Sequence, residues 1–292
     1  MKCFYHSADL DGHCSGAIVK LANPDCEMIG MDYGEPFPWA SVYPEEIVIL
    51  IDFSLQPFSD MLRLNRLSEL VWIDHHKSAI DEAQGTEVRG ILDSDYAACE
   101  LAWRHFFPND RMPTAVHLLG RYDIWKHKET PGSLEFQYGM RLEADTWPDS
   151  ALWKTLLVSP GSDSFPSLNA EARTAQITQA GALCLAYEKV QNEKFMSAYG
   201  FECEFDGLKC IAANKGMGNS LTFESVYDPS KHDAMCMFAY KNGKWTVSLY
   251  STKPEIDVSA VCKARGGGGH KGAAGFQCKE LPFIGKQEGA SN

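Results

Sequence analysis

The chain has 292 residues, of which 45% are hydrophobic and 23% charged, and its formal net charge is −12. The length suits two domains and a large core. The acidity excludes a duplex-DNA binder that works through a broad basic face, and no stretch is apolar enough to span a bilayer. A small nucleotide stays compatible with this charge, because a metal site brings positive charge of its own. The N-terminus lacks the basic, apolar and small-residue order of a signal peptide, with Asp9 and Asp11 breaking it early, so a cytoplasmic location is the default expectation. Ten cysteines without a C-x-x-C pair suit buried free thiols of a reducing compartment.

Three apolar runs in the first half predict buried strands, and each runs straight into acidic or histidine side chains. Residues 2–5 lead into His6, Asp9 and Asp11; residues 47–51 lead into Asp52; residues 70–73 lead into Asp74, His75 and His76. Continuous apolar runs of this length suit parallel strands covered on both faces. Helix-like segments alternate with them, one after Gly12 over residues 15–21 and one from Ser94 to Phe107. Residues 143–167 are rich in Pro, Ser, Asp and Gly and read as an irregular crossing. A long helix is predicted next, because Ile177, Gly181, Cys184, Tyr187, Gln191 and Phe195 recur at three- or four-residue steps. Beyond residue 200 come β-like runs at 208–212, 234–240 and 245–250, with Asn242-Gly243 marking a hairpin. Residues 285–292 read as a loose tail. The expected fold class is α/β, with an N-terminal, mainly parallel sheet covered by helices on both faces and a smaller α/β C-terminal domain. The expected boundaries are 1–165 for the first domain, 166–200 for a connecting helix and 201–292 for the second.

In open α/β sheets, ligands bind outside the carboxyl ends of the strands. His6, Asp9, Asp11, Asp52, Asp74, His75 and His76 should therefore converge, and their types suit hard divalent cations. Each cluster alone also has a plainer reading. Asp9 and Asp11 can form a solvated turn or cap a helix, Asp52 can cap the next helix, and Asp74-His75-His76 can be a hydrogen-bonded turn. Asp123 can be a helix-end acid or a partner of Arg121. Two adjacent histidines cannot point the same way, so one can ligate while the other faces a substrate. Near the C-terminus, Arg265 precedes four glycines (266–269), then His270 and Lys271. Such a backbone can approach an anion closely, and the small residues after it could open a helix whose N-terminus adds positive potential. The plainer reading is a flexible linker.

Taken together, His6-x-x-Asp9-x-Asp11-Gly12, Ile51-Asp52, Asp74-His75-His76 and Asp123 resemble the four motifs of the DHH phosphoesterase superfamily. The stretch from Gly266 to Gly275 resembles the signature of its DHH-associated C-terminal domain. The layout is similar to the nano-RNase and phosphoadenosine-phosphate phosphatase branch, and more distantly to the exonuclease RecJ. The resemblance implies a two-manganese site, with Mg²⁺ as the other candidate. His6 and Asp9 would hold one ion, Asp11 and His75 the other; Asp52 would bridge and Asp123 complete the set. His76 would face the scissile phosphate as the catalytic group, and Asp74 would orient the histidines from behind. Arg265, Gly267, Gly268, Gly269, His270 and Lys271 would bind substrate. One departure is Tyr250, in Ser248-Leu249-Tyr250-Ser251, where many relatives carry Arg. The implied activity is hydrolysis of short single-stranded oligonucleotides or small nucleotide phosphodiesters. A phosphatase of bisphosphorylated nucleotides and a catalytically silent nucleotide sensor are the alternatives. Neither duplex DNA nor a membrane is expected as a partner, and the oligomeric state stays open, a homodimer being one option.

Overall fold

In the computed structural model, which describes residues 1–159 and 165–282, the apolar runs form parallel strands. The first half contains β1 (Lys2–His6), α1 (Leu10–Ala22), β2 (Glu27–Met31), β3 (Ile47–Ile51), α2 (Ser59–Leu67), β4 (Glu69–Asp74), α3 (Lys77–Ala83), β5 (Ile91–Leu92), α4 (Ala98–Phe106), α5 (Thr114–Asp123), α6 (Ser133–Met140) and α7 (Ala151–Leu156). Among the described residues these strands make one five-stranded sheet in the order β2-β1-β3-β4-β5. Because successive side chains on a strand point to opposite faces, each strand feeds two cores. Cys3, Tyr5, Ile49, Ile51 and Ile73 pack with residues of α1, α4, α5, α6 and α7. Phe4, Val48, Leu50 and Trp72 face the other way and pack with Met61 and Leu64 of α2 and Ala79 and Ala83 of α3. Burial on both sides is why these strands read as unbroken apolar runs. The α/β class, with a parallel sheet between helices and a second sheet domain, is the observed one.

The strand order reverses at β1, with β2 on one side and β3 on the other. That is the switch point at which doubly wound sheets open a crevice. Helix α1 starts at Leu10, earlier than the run at 15–21 suggests, because Asp9 caps it by accepting the Gly12 amide at 3.0 Å. Gly12 is required here: a Cβ would lie 1.9 Å from the His6 carbonyl oxygen.

Helix α8 (Phe165–Tyr199) is the predicted long helix, at 35 residues. The chain divides into two compact units, Met1–Leu185 and Ala186–Asn292. The second carries β6 (Phe201–Phe205), β7 (Leu208–Asn214), β8 (Ala234–Lys241), β9 (Lys244–Tyr250), α9 (Val258–Lys263), β10 (Gly268–His270) and β11 (Ala273–Cys278). Its sheet runs β10-β11-β9-β8-β7-β6, and only β7 and β8 pair in parallel. Asn242 and Gly243 join β8 to β9 with φ of 53° and 80°, as a tight hairpin needs. Asp206-Gly207, which the sequence reading passed over, does the same between β6 and β7, with φ of 51° and 79°. The glycine-rich stretch does not open a helix: it forms β10, a turn and β11. Glycine and alanine carry no periodicity that would tell the two apart. All ten cysteines, each among the described residues, are free thiols. Among those residues, no helix is long and apolar enough to cross a membrane. The expected tail at 285–292 and residues 160–164 of the irregular crossing lie outside the described residues.

Candidate metal centre

His6 ends β1 and is buried. Its Nδ1 lies 3.1 Å from Asp9 Oδ2 and 3.6 Å from Asp52 Oδ2. Asp9 thus serves two purposes, with one oxygen capping α1 and the other beside His6. Asp52, the residue after β3, is 1% exposed and sits at φ 54°. Left-handed backbone costs a non-glycine residue energy, and such residues cluster at functional sites. Asp52 Oδ1 is 3.3 Å from His75 Nε2. The same His75 nitrogen lies 3.6 Å from Asp11 Oδ2 and 3.3 Å from Asp123 Oδ2. Three sets of ligand atoms each fall within 4.8 Å: His6, Asp9 and Asp52; Asp11, His75 and Asp123; and Asp52, His75 and His76.

The fit to divalent cations can be tested on the atoms themselves. His6 Nδ1, both oxygens of Asp52 and His75 Nε2 are buried without a hydrogen-bond partner. Buried polar atoms are normally satisfied, and here the orphans point at one another. An oxygen and nitrogen donor set without sulfur suits Mn²⁺ or Mg²⁺ chemistry. The electrostatics agree. Burial, followed by the charge of Asp11, pushes the Asp52 carboxyl well above the carboxylate range. Burial, then Asp11 and Asp52, does the same to Asp123. Burial disfavours the charged form of His6, yet the carboxylates of Asp52 and Asp9 beside it override that and take its pKa to about 11. The cluster thus accumulates negative charge that either protons or cations must balance.

Asp11 is also tied to helix α4, whose N-cap, Ala97, has no side-chain acceptor. The Asp11 oxygens accept the Ala98 amide at 3.0 Å and the Cys99 amide at 2.9 Å. Arg121 does not pair with Asp123. It pairs with buried Glu100, which leaves Asp123 to His75. The Asp74-His75-His76 turn is hydrogen-bonded, and the bonding separates the two rings. Asp74 Oδ1 accepts the His75 amide at 2.7 Å, the His76 amide at 3.1 Å and His76 Nδ1 at 2.7 Å. Burial works against a charged His76, but the Asp74 carboxylate outweighs it and raises the pKa.

Two residues at the edge of this cluster escaped sequence reasoning. Asp32 Oδ1 lies 3.5 Å from His6 Nε2. The Tyr33 ring stands edge-on to His6, with centroids 5.5 Å apart, and 4.7 Å from the Phe53 ring. They follow β2, Glu-Met-Ile-Gly-Met, whose pattern is too weak to announce a strand end.

The C-terminal candidates lie in the second unit. Arg265 is engaged by Asp206 through Nε at 3.0 Å and Nη2 at 2.5 Å, and it stacks on Phe205 and Phe276. Its guanidinium is therefore committed within the unit. Gly267 and Gly269 are spatially required: a Cβ would lie 2.1 Å from the Gly275 oxygen at the first and 2.6 Å from the Ala273 oxygen at the second. Gly268 has open space around it. Lys271 is exposed. His270 is described by its backbone, and its side chain lies outside the described residues. Tyr250 is half-buried in β9, and desolvation raises its phenol pKa.

No family model matches the chain. It is 25% identical over 240 residues to an uncharacterized protein, R106, of Acanthamoeba polyphaga mimivirus, covering 78% of this chain and 52% of the viral one. The chain thus spans about half the length of the curated relative it matches. Among solved structures, it is similar to an exopolyphosphatase-related protein from Bacteroides fragilis, with TM-score 0.51 and 12% identity, over 96% of this chain and 87% of that one. It is also similar to a pGpG-specific phosphodiesterase from Vibrio cholerae, with TM-score 0.47 and 11% identity, over 94% and 92% of the two chains. At 12% identity, the likeness to the Bacteroides fragilis structure is one of fold alone.

Proposed function

We propose that the chain is a metal-dependent phosphoesterase of the DHH type, acting on short oligonucleotides or small nucleotide phosphodiesters. The carrying observation is Asp52, a buried carboxylate without hydrogen-bond partners, flanked by His6 Nδ1 on one side and His75 Nε2 on the other. The motif order in the sequence supports the same reading. His6, Asp9 and Asp52 would hold one Mn²⁺ or Mg²⁺; Asp11, His75 and Asp123, with Asp52 shared, would hold a second. Such a pair lowers the pKa of water and neutralises charge on the phosphoryl oxygens.

The chain's own groups supply the rest. Asp74 fixes His76 by Nδ1 and so leaves Nε2 as the nitrogen free to donate a proton to the leaving oxygen. The raised pKa of His76 keeps that proton available near neutral pH, which is what a general acid needs. Burial of the Asp52 and Asp11 carboxylates keeps bulk water from hydrating them in place of a cation. In the second unit, the β10–β11 hairpin and Lys271 offer backbone amides and a cation suited to a phosphate or a terminal nucleotide.

The test is a substrate screen with manganese-loaded protein against short oligonucleotides, linear dinucleotides, bisphosphorylated nucleotides and pyrophosphate, with metal content measured in parallel. Mononucleotide products from a diester are expected. Inorganic phosphate from a bisphosphorylated nucleotide alone would move the assignment to a monoesterase. Two bound ions with no turnover on any of the four would overturn it in favour of a sensor.

A further inference from the structure

The parallel pairing of β1 with β2 sets His6 level with Met31, and the Ser7 amide donates to the Met31 oxygen at 2.9 Å. Asp32 is therefore delivered beside His6. The two imidazole nitrogens then face different carboxylates: Nδ1 faces Asp9 and Asp52, and Nε2 faces Asp32 at 3.5 Å. A neutral imidazole carries a single N–H, so ligation through Nδ1 requires the proton on Nε2. Resting on the metal-centre reading above, we propose that Asp32 is a positioning residue for His6: its carboxylate accepts the Nε2–H and thereby presents the Nδ1 lone pair to the cation shared with Asp9 and Asp52.

The surroundings are built for this role. Asp32 Oδ1 accepts the Tyr33 amide at 2.7 Å, and the Asp32 amide donates to Glu35 Oε2 at 3.0 Å, so the turn holds this half-exposed carboxylate beside His6. Tyr33 stands edge-on to the imidazole and Phe53 stacks on it at 6.2 Å between centroids, so the ring plane is walled in. The aromatics set the plane, and the carboxylate sets the tautomer. Asp74 does the same for His76 at 2.7 Å. The Asp32 contact must close by about half an ångström to become a full hydrogen bond. A carboxylate behind a ligating imidazole is a recurrent arrangement, and its loss typically costs about 10–100-fold in metal affinity.

Asp32 also makes its own turn, so the test must separate the two roles. Asp32→Asn keeps an acceptor for both the turn and His6. Asp32→Ser keeps an oxygen for the turn but is too short to reach His6. Mn²⁺ affinity and stoichiometry are measured by titration calorimetry on the full chain. The melting temperature of chelator-treated protein is measured alongside, and ¹⁵N NMR of protein loaded with diamagnetic Mg²⁺ reports the His6 tautomer, assigned with His6→Gln. The expected result is near-wild-type affinity for Asp32→Asn and a loss of roughly 10–100-fold for Asp32→Ser. The metal-free melting temperatures should match, and the Nε2–H tautomer should weaken in the Ser variant alone. Wild-type affinity in Asp32→Ser overturns the inference. So does equal loss in both variants, which would indicate charge at a distance, or a loss that tracks the melting temperature, which would indicate the turn. If the unsubstituted chain binds no divalent cation, the proposed function fails as well. If it binds two and the Asp32 variants do not differ from it, only the positioning role fails.

Discussion

Asp74 grips His76 by Nδ1 at 2.7 Å, whereas His75, its neighbour in the chain, turns Nε2 to within 3.3 Å of both Asp52 and Asp123. Two adjacent histidines therefore have different surroundings and should fail differently. His75→Ala should lose bound metal. His76→Ala should keep its metal and lose most of kcat, since a general acid contributes roughly 10²–10⁴-fold. Elemental analysis beside turnover on the same preparations decides it, and equal metal loss in the two variants would contradict this division.

Asp52→Asn should abolish metal-dependent turnover and raise the melting temperature of the metal-free protein. A carboxyl whose folded pKa lies above its unfolded one destabilises the fold once pH exceeds the unfolded value, and the penalty is complete above the folded pKa. Asp52 is raised in this sense, by burial and then by Asp11. Asparagine removes the charge and tolerates φ near 54°. A gain of about 1 kcal/mol would appear as roughly 2–4 °C. Scanning calorimetry in chelator measures it, and a lower melting temperature would show that the charge is already compensated.

Cation affinity should rise steeply with pH. Asp52 and Asp123 hold protons above the usual carboxylate range, and His6 titrates near 11. A cation must displace these protons, so apparent affinity should grow about tenfold per pH unit for each proton released. Mn²⁺ titrations in buffers of differing ionisation enthalpy count the protons directly. A flat profile would mean that the cluster is already deprotonated.

The glycines at the C-terminal hairpin should not be equivalent. Gly269→Val, at φ 137° and against the Ala273 oxygen, should disrupt the hairpin, and Gly267→Ala should do the same against the Gly275 oxygen. Gly268→Ala meets nothing and should be tolerated. Lys271→Ala should leave metal content intact and weaken nucleotide binding about tenfold or more, because a charge-assisted bond contributes roughly 1.5–3 kcal/mol. Equilibrium binding of a nucleotide, with metal content measured in parallel, tests both claims. Loss of metal in the Lys271 variant would contradict them.

Much of the first unit was legible because burial on both faces of a parallel sheet leaves an unbroken apolar run, and chemistry begins where the run stops. The positions of His6, Asp52 and Asp74 at the strand ends were legible in this way. Asp32 was not, because β2 mixes Glu, Met and Gly and gives no edge at which to look. The glycine stretch was legible as special but not as a hairpin, since residues without side-chain pattern fit strand and helix alike. Arg121 was legible as a partner for an acid, but the fold matches it with Glu100, and only packing between α4 and α5 could reveal that choice.

Helix α4 begins without a cap of its own and borrows Asp11 from α1, 87 positions earlier, to hold the Ala98 and Cys99 amides. One carboxylate is therefore both a prospective cation ligand and the lock on a distant helix end. Deuterium uptake at those two amides should therefore gauge cation binding at the candidate centre: slow when Asp11 is pinned, faster when it is released. A spectator helix would thereby report occupancy without any assay of catalysis.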